Sequence, residues 1–133
     1  MKYLVLLISL LFISTACSVN NDSPVGFSED IIKLSQKEAS FSSSGDSIVI
    51  TTEGETWWVE NISLDGTSFD LQEVNTLNGN FEINAEDFVI ERKNATEIHI
   101  SMTPNSTQTD RVLRISLEDG NYFDGITITQ AAQ

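Results

Sequence analysis

Arg111 to Gln130 reads RVLRISLEDGNYFDGITITQ. Both halves of this stretch alternate. Leu113, Ile115 and Leu117 fall on one parity against Val112, Arg114 and Ser116, and Ile126 and Ile128 oppose Thr127 and Thr129. Successive side chains of a β-strand point to opposite faces, so each half offers one apolar face and one polar face. The DGNY between them is made of turn formers. The stretch therefore predicts an antiparallel hairpin with one side in a core and the other in water.

Working back along the chain, the same pattern recurs. In TEIHISM, Ile98, Ile100 and Met102 share a face opposite Glu97, His99 and Ser101. A turn at Lys93-Asn94 joins this run to EDFVIER, and Asn78-Gly79 is a strong hairpin signal within TLNGNFEI. Ser47 to Glu53 is β-branched, and a strand is expected from about Thr56 to Leu64, closed by Asp65-Gly66. Ser68 to Val74 sets Phe69 and Leu71 against Asp70 and Gln72 and reads as a further strand; Asp30 to Gln36 reads as a weak first strand. FSSSGDS is a turn-rich bridge, and no long helical pattern, repeat or low-complexity tract interrupts the series. Short alternating strands separated by Gly, Asn, Asp and Ser point to an all-β antiparallel sandwich or barrel.

The N-terminus has a different grammar. Lys2 precedes the run LVLLISLLFI (residues 4–13), and Ser14, Thr15 and Ala16 follow. A basic start, an apolar run of this length and a small-residue end describe a secretory signal peptide, and the run falls short of the roughly 20 apolar residues a spanning helix needs. The chain's one cysteine, Cys17, comes next, so no intramolecular disulfide can form. ISTAC resembles a bacterial lipobox. That resemblance implies cleavage before Cys17, diacylation of its sulfur and acylation of the new N-terminus. One acyl chain gives only marginal membrane binding, whereas several on one residue make a durable anchor. The expected organisation is a signal peptide over 1–16, a lipidated Cys17 and tether over 17–27, and one domain over 28–133. No Asp follows Cys17 directly, which by the known sorting rule favours the outer membrane; the periplasmic and surface faces both stay open.

All twenty acidic residues lie beyond residue 16, and with Lys2 removed six Lys or Arg remain, so the mature chain carries a net charge of −14. Such a charge opposes binding to nucleic acid and to anionic lipid surfaces.

The C-terminal third carries a resemblance to a family. ISMTPNSTQTDRVLRISL followed by GITITQAA is similar to the end of a BACON domain, an immunoglobulin-like module of Bacteroidetes proteins. Asn105, Arg111, Leu113, Ile115, Ile126, Ile128 and Gln130 fall on its pattern. FSSSGDSIVITTEGETWWV resembles its opening, with Phe41, Gly45, Ile48, Ile50, Trp57 and Val59 in place. The chain departs from the pattern between Glu60 and Asn84, and Phe88 with Ile90 stands where the family carries a second Trp. The resemblance implies an immunoglobulin-like β-sandwich of seven to nine strands and a carbohydrate-binding role.

Enzyme machinery is not evident. His99 is the single histidine and falls on a polar strand face. A Ser-His-Asp relay needs that histidine buried beside a nucleophile, and a catalytic zinc site takes three protein ligands. No phosphate-binding glycine loop occurs. No cofactor is expected. Glu118, Asp119, Asn121 and Asp124 sit close together and make a weak calcium candidate, although their spacing is not that of an EF-hand. For binding, WWV is the informative triplet. Trp57 and Trp58 cannot point the same way on a strand; Trp57 goes with Val59 and Trp58 with Glu60. An outward Trp58, with Tyr122 and Phe123 in the last hairpin, forms the candidate ligand site. Residues 65–84, through Phe69 or Phe81, are the candidates to cover Trp58. The expected function is that of a non-catalytic, outer-membrane lipoprotein that binds glycan; the alternative is an adaptor that binds an envelope protein.

Overall fold

The computed structural model describes residues 29–133. The expected signal peptide, Cys17 and the tether through residue 27 lie outside the described residues. Nine strands form: β1 (Glu38–Phe41), β2 (Asp46–Thr51), β3 (Trp58–Leu64), β4 (Thr67–Ser68), β5 (Phe81–Asn84), β6 (Phe88–Lys93), β7 (Glu97–Met102), β8 (Arg111–Asp119) and β9 (Tyr122–Gln130). They build a five-stranded sheet of order β1-β9-β8-β3-β4 and a four-stranded sheet of order β2-β7-β6-β5. All neighbours are antiparallel except β1 and β9, which run parallel.

The apolar parities of the strands face one another between the sheets. The core holds Ile50, Ile62, Ile83, Ile90, Ile98, Ile100, Leu113, Ile115, Leu117, Ile126 and Ile128, all almost fully buried. Most are isoleucine, whose β-branched side chain fits the pleat and is worth about 1.5–3 kcal/mol when buried.

β3 keeps its core face by means of a bulge. Val59 pairs with Leu117 and Asn61 with Ser116, so Glu60 is the extra residue. Strict alternation would turn Ile62 outward if Val59 pointed in. The bulge resets the phase, and both are buried.

Two expected strands do not form. Asp30–Gln36 is an irregular segment in which Lys33 has a φ of 52°, a conformation no strand accommodates. It is held instead by two backbone bonds onto the Ile32 carbonyl, from Glu53 and Gly54 at 3.1 Å, and buries Ile32 as a plug. The backbones meet so closely at Gly54 that a side chain there would collide with the Ile31 carbonyl. The first strand is β1, farther along. Ser68–Val74 contributes only Ser68 to a strand; the next residues leave the sheet to cross toward β5, with Phe69 packed edge-on against Phe88 at 5.7 Å between ring centres. Its alternating apolar residues serve a loop that covers the core.

Arg92 is the one charged residue buried as a whole among the described residues, at 2 % exposure. Its guanidinium lies 3.6 Å from the centre of the Trp57 ring and donates to the carbonyls of Trp57 (2.7 Å), Glu55 (2.8 Å), Ala95 (3.0 Å) and Asn78 (3.3 Å). Burial pushes its pKa down, yet an arginine stays protonated. One β6 side chain thus ties together three chain segments at one end of the sandwich. At the other end, Asn105 donates to Thr109 and Ala131 carbonyls and accepts from Thr107, while Gln130 donates to Ser42 and Thr103 carbonyls.

Arg92→Ala strips the donor from four carbonyls and the cation from the Trp57 face. It is expected to lower stability by about 3–5 kcal/mol in urea unfolding, with Arg92→Lys recovering less than half of the loss. Unchanged stability in Arg92→Ala would show that the clamp is not what holds this end together.

Candidate functional site

The two tryptophans part company as the pleat requires. Trp57 is buried, its indole N–H donating to Thr52 Oγ1 and the Gly54 carbonyl, each at 3.0 Å. Trp58 lies on the opposite, outer side and is half-buried. It pairs with Glu118 of β8, and Glu118 pairs with Phe123 of β9. These three residues therefore form one row across the outer face of the five-stranded sheet. With strands about 4.8 Å apart, the two aromatics stand about 10 Å from each other. Phe123 is 63 % exposed, more than any other aromatic residue in the core or on this face.

The next row along the strands is Asn61, Ser116 and Gly125, and the one after it Ser63, Arg114 and Thr127. Gly125 sits where a Cβ would come within 3.1 Å of the Ile115 carbonyl, and it leaves the middle row low. A shallow polar strip thus separates the aromatic row from Arg114. Beside Trp58, the loop after β4 forms an open groove of about 430 Å³ with Glu60, Leu71, Gln72 and Val74 on its walls. Of the two aromatics expected near Trp58, Phe69 lines this groove with it and Phe81 does not.

Tyr122 is not on this face. It pairs with Asp119 on the opposite parity from Phe123 and is turned toward the N-terminal segment. Its hydroxyl lies 3.3 Å from Asp124 Oδ2, and Lys37 Nζ bridges Asp124 at 2.8 Å and Asp30 at 3.8 Å. Burial, reinforced by the two carboxylates, pushes the Tyr122 phenol up to about 12. The hydrogen bond to Asp124 raises Lys37, and the Lys33 backbone N–H lowers Asp30. This cluster latches the segment before β1 onto the last hairpin.

The calcium candidates are engaged by different neighbours: Asp119 accepts from Thr56 Oγ1 at 2.7 Å, and Asp124 holds Lys37. Asn121 lies in the turn between β8 and β9. No group of three or more His, Cys, Asp or Glu able to hold a metal occurs among the described residues.

The outer face of the four-stranded sheet carries a shallow depression of about 200 Å³ over Ser47, Val49, Val89, His99 and Ser101. His99 Nε2 meets Glu97 Oε2 there at 2.8 Å, two residues along the same strand face. Of the predicted site residues, the structure brings Trp58 and Phe123 together and sets Tyr122 apart. Arg114, which the alternation places on the polar face, joins this surface between Ser63 and Thr127, and the sequence did not single it out.

No family model matches the chain and no curated protein matches it. Among solved structures, it is similar to a protein from Bacteroides thetaiotaomicron solved by NMR, at a TM-score of 0.65 and 19% identity, covering 83% of this chain and 93% of that one. It is also similar to the M1 domain of titin, at 0.50 and 11% identity, covering 77% and 94%. The chain is an immunoglobulin-like β-sandwich.

Tyr122 gives this fold a measurable alkaline limit. Its folded-state value lies above the ordinary phenol value of 10.0, so the folded state keeps the proton after the unfolded chain has lost it. The contribution is fully present below about pH 10 and is lost as pH rises toward about 12. The sequence has two tyrosines, Tyr3 and Tyr122, so in a Tyr3→Phe background phenolate absorbance reports Tyr122 alone. A midpoint near 12 is expected, with a Tyr122→Phe variant losing less stability between pH 10 and 12; a midpoint at 10 would contradict the latch.

Proposed function

We propose that this chain is a non-catalytic, BACON-like lipoprotein of the cell envelope, held at the outer membrane through lipid on Cys17, whose sandwich binds carbohydrate. The observation that carries the reading is the Trp58–Glu118–Phe123 row. Aromatic faces stack on the apolar faces of sugar rings, and a carboxylate between two of them accepts hydroxyl hydrogen bonds. The strip of Asn61 and Ser116 adds further polar partners along the same face. Absence of catalysis is supported by the histidine lying beside Glu97 on an open sheet face and by the pairing of Asp87 and Asp124 with cations. The sequence resemblance to BACON modules agrees with the fold, including the buried positions of Trp57, Asn105 and Gln130.

A protein partner is the second reading, and one observation favours it. β2 ends the four-stranded sheet, and Val49 at its middle is 51 % exposed. Ser35 bonds the Thr51 backbone at one end and Asp46 takes the Ser47 N–H at the other, so the edge is open between them. Open edges accept added strands.

Glycan-array binding of the mature chain separates the two. Trp58→Ala and Phe123→Ala are each expected to weaken glycan binding about three- to tenfold, Phe123→Ala without loss of stability because its side chain is mostly exposed. Binding that survives both, or no binding by folded protein, would move the weight to the β2 edge. Cys17→Ser is expected to move the protein from the outer-membrane fraction to the soluble fraction; retention there would remove the lipid anchor from the account.

A further inference from the structure

The cations of the domain are almost all committed. Lys33 pairs with Glu53 at 2.9 Å, Lys37 with Asp124 at 2.8 Å and Arg111 with Asp87 at 3.2 Å; Lys93 pairs with Glu91. Arg92 is buried on carbonyls and the Trp57 ring. Among the described residues, Arg114 is the cation with neither an ion pair nor a hydrogen bond to the protein, and it is exposed. Its place is specific. Arg114 stands at the centre strand of the outer face, with the hydroxyls of Ser63 and Thr127 directly beside it in register.

We infer that Arg114 is a carboxylate-reading group of the glycan face, and that the preferred ligand is a mostly neutral oligosaccharide carrying a single acidic sugar. This rests on the carbohydrate reading above. An arginine fork receives a carboxylate through two parallel N–H bonds, which a lysine or a neutral side chain does not reproduce. The geometry separates two subsites. Arg114 and Glu118 are four residues apart on one strand and share its outer face, about 13 Å from one another. A neutral sugar fits at the aromatic row, where Glu118 repels an acid, and the acidic sugar reaches Arg114 across the low strip at Ser116 and Gly125. At physiological ionic strength charges about 8 Å or more apart are largely screened, so Glu118 does not cancel Arg114. The formal net charge of −13 sets the other limit, because it repels a polyanion as a whole. One carboxylate on a neutral chain satisfies both conditions.

The test uses matched pairs of probes on the full chain in detergent: sialyllactose against lactose, and glucuronosyl-xylotriose against xylotriose. Affinity is measured by calorimetry for the wild type, Arg114→Gln and Phe123→Ala. The acidic member of at least one pair is expected to bind about tenfold more tightly, with the gap lost in Arg114→Gln and reduced at high salt. Phe123→Ala is expected to weaken both members. Equal binding of acidic and neutral members, lowered by Phe123→Ala, would overturn the role of Arg114 and keep the carbohydrate reading. An acidic preference that survives Arg114→Gln would likewise overturn it. No binding of any of the four probes by folded protein would overturn both. Since Arg114 is exposed and unpaired, its variant is expected to fold as the wild type does, and the urea midpoint checks this.

Discussion

The stacking of Arg92 on Trp57 is the constraint from which the candidate face follows. Trp57 is held inward by the guanidinium 3.6 Å from its ring and by two indole hydrogen bonds. With Trp57 fixed inside, the pleat leaves Trp58 one direction, outward. The Glu60 bulge then returns Ile62 to the core, so the outward excursion of Trp58, Glu60 and Asn61 costs no core residue. An element of packing in one sheet thereby decides which aromatic the other sheet shows to solvent. A buried charge without a carboxylate partner is tolerated because four carbonyls and a π-face replace its water.

The two ends of the sandwich are closed by different chemistry. One is sealed by neutral amides, Asn105 and Gln130, which bind main-chain groups of the loops that meet there. The other is sealed by Arg92 and by the ionic latch of Asp30, Lys37, Asp124 and Tyr122. The residues that carry the resemblance to a known family, Trp57, Asn105 and Gln130 above all, are thus buried and structural. They speak for fold. A ligand is read instead from Trp58, Arg114 and Phe123, which lie on the opposite side of the same strands.

The strands after Ile83 were legible in the sequence because each obeys a strict period of two, and their faces stand as the alternation predicts from Ile98 to Ile128. The separation of Trp57 from Trp58 was legible for the same reason. Asp30–Gln36 and Ser68–Val74 were not. Both carry apolar residues that a core needs, but local pattern cannot tell a strand from a plug or a covering loop; long-range backbone partners decide that, such as the Ile32 carbonyl for Glu53 and Gly54. Tyr122 was placed with Phe123 by proximity in sequence, although one residue of separation turns it to the opposite face. Arg92 and Arg114 looked alike in the sequence, each an arginine within an alternating run. Their opposite fates depend on parity: Arg92 shares the parity of Phe88 and Ile90, Arg114 that of Ser116.

The central claim is that the carbohydrate proposed for this domain binds on the outer face of the five-stranded sheet. Side-chain and amide NMR shifts of the labelled chain during titration with an oligosaccharide that binds it test this most directly, because the two indole N–H signals act as opposed reporters. The account predicts shifts at the Trp58 indole and at the amides around Ser116 and Phe123, with the Trp57 indole unmoved. Shifts confined to Val49 and His99, or to the groove of Leu71 and Val74 without Phe123, would contradict it.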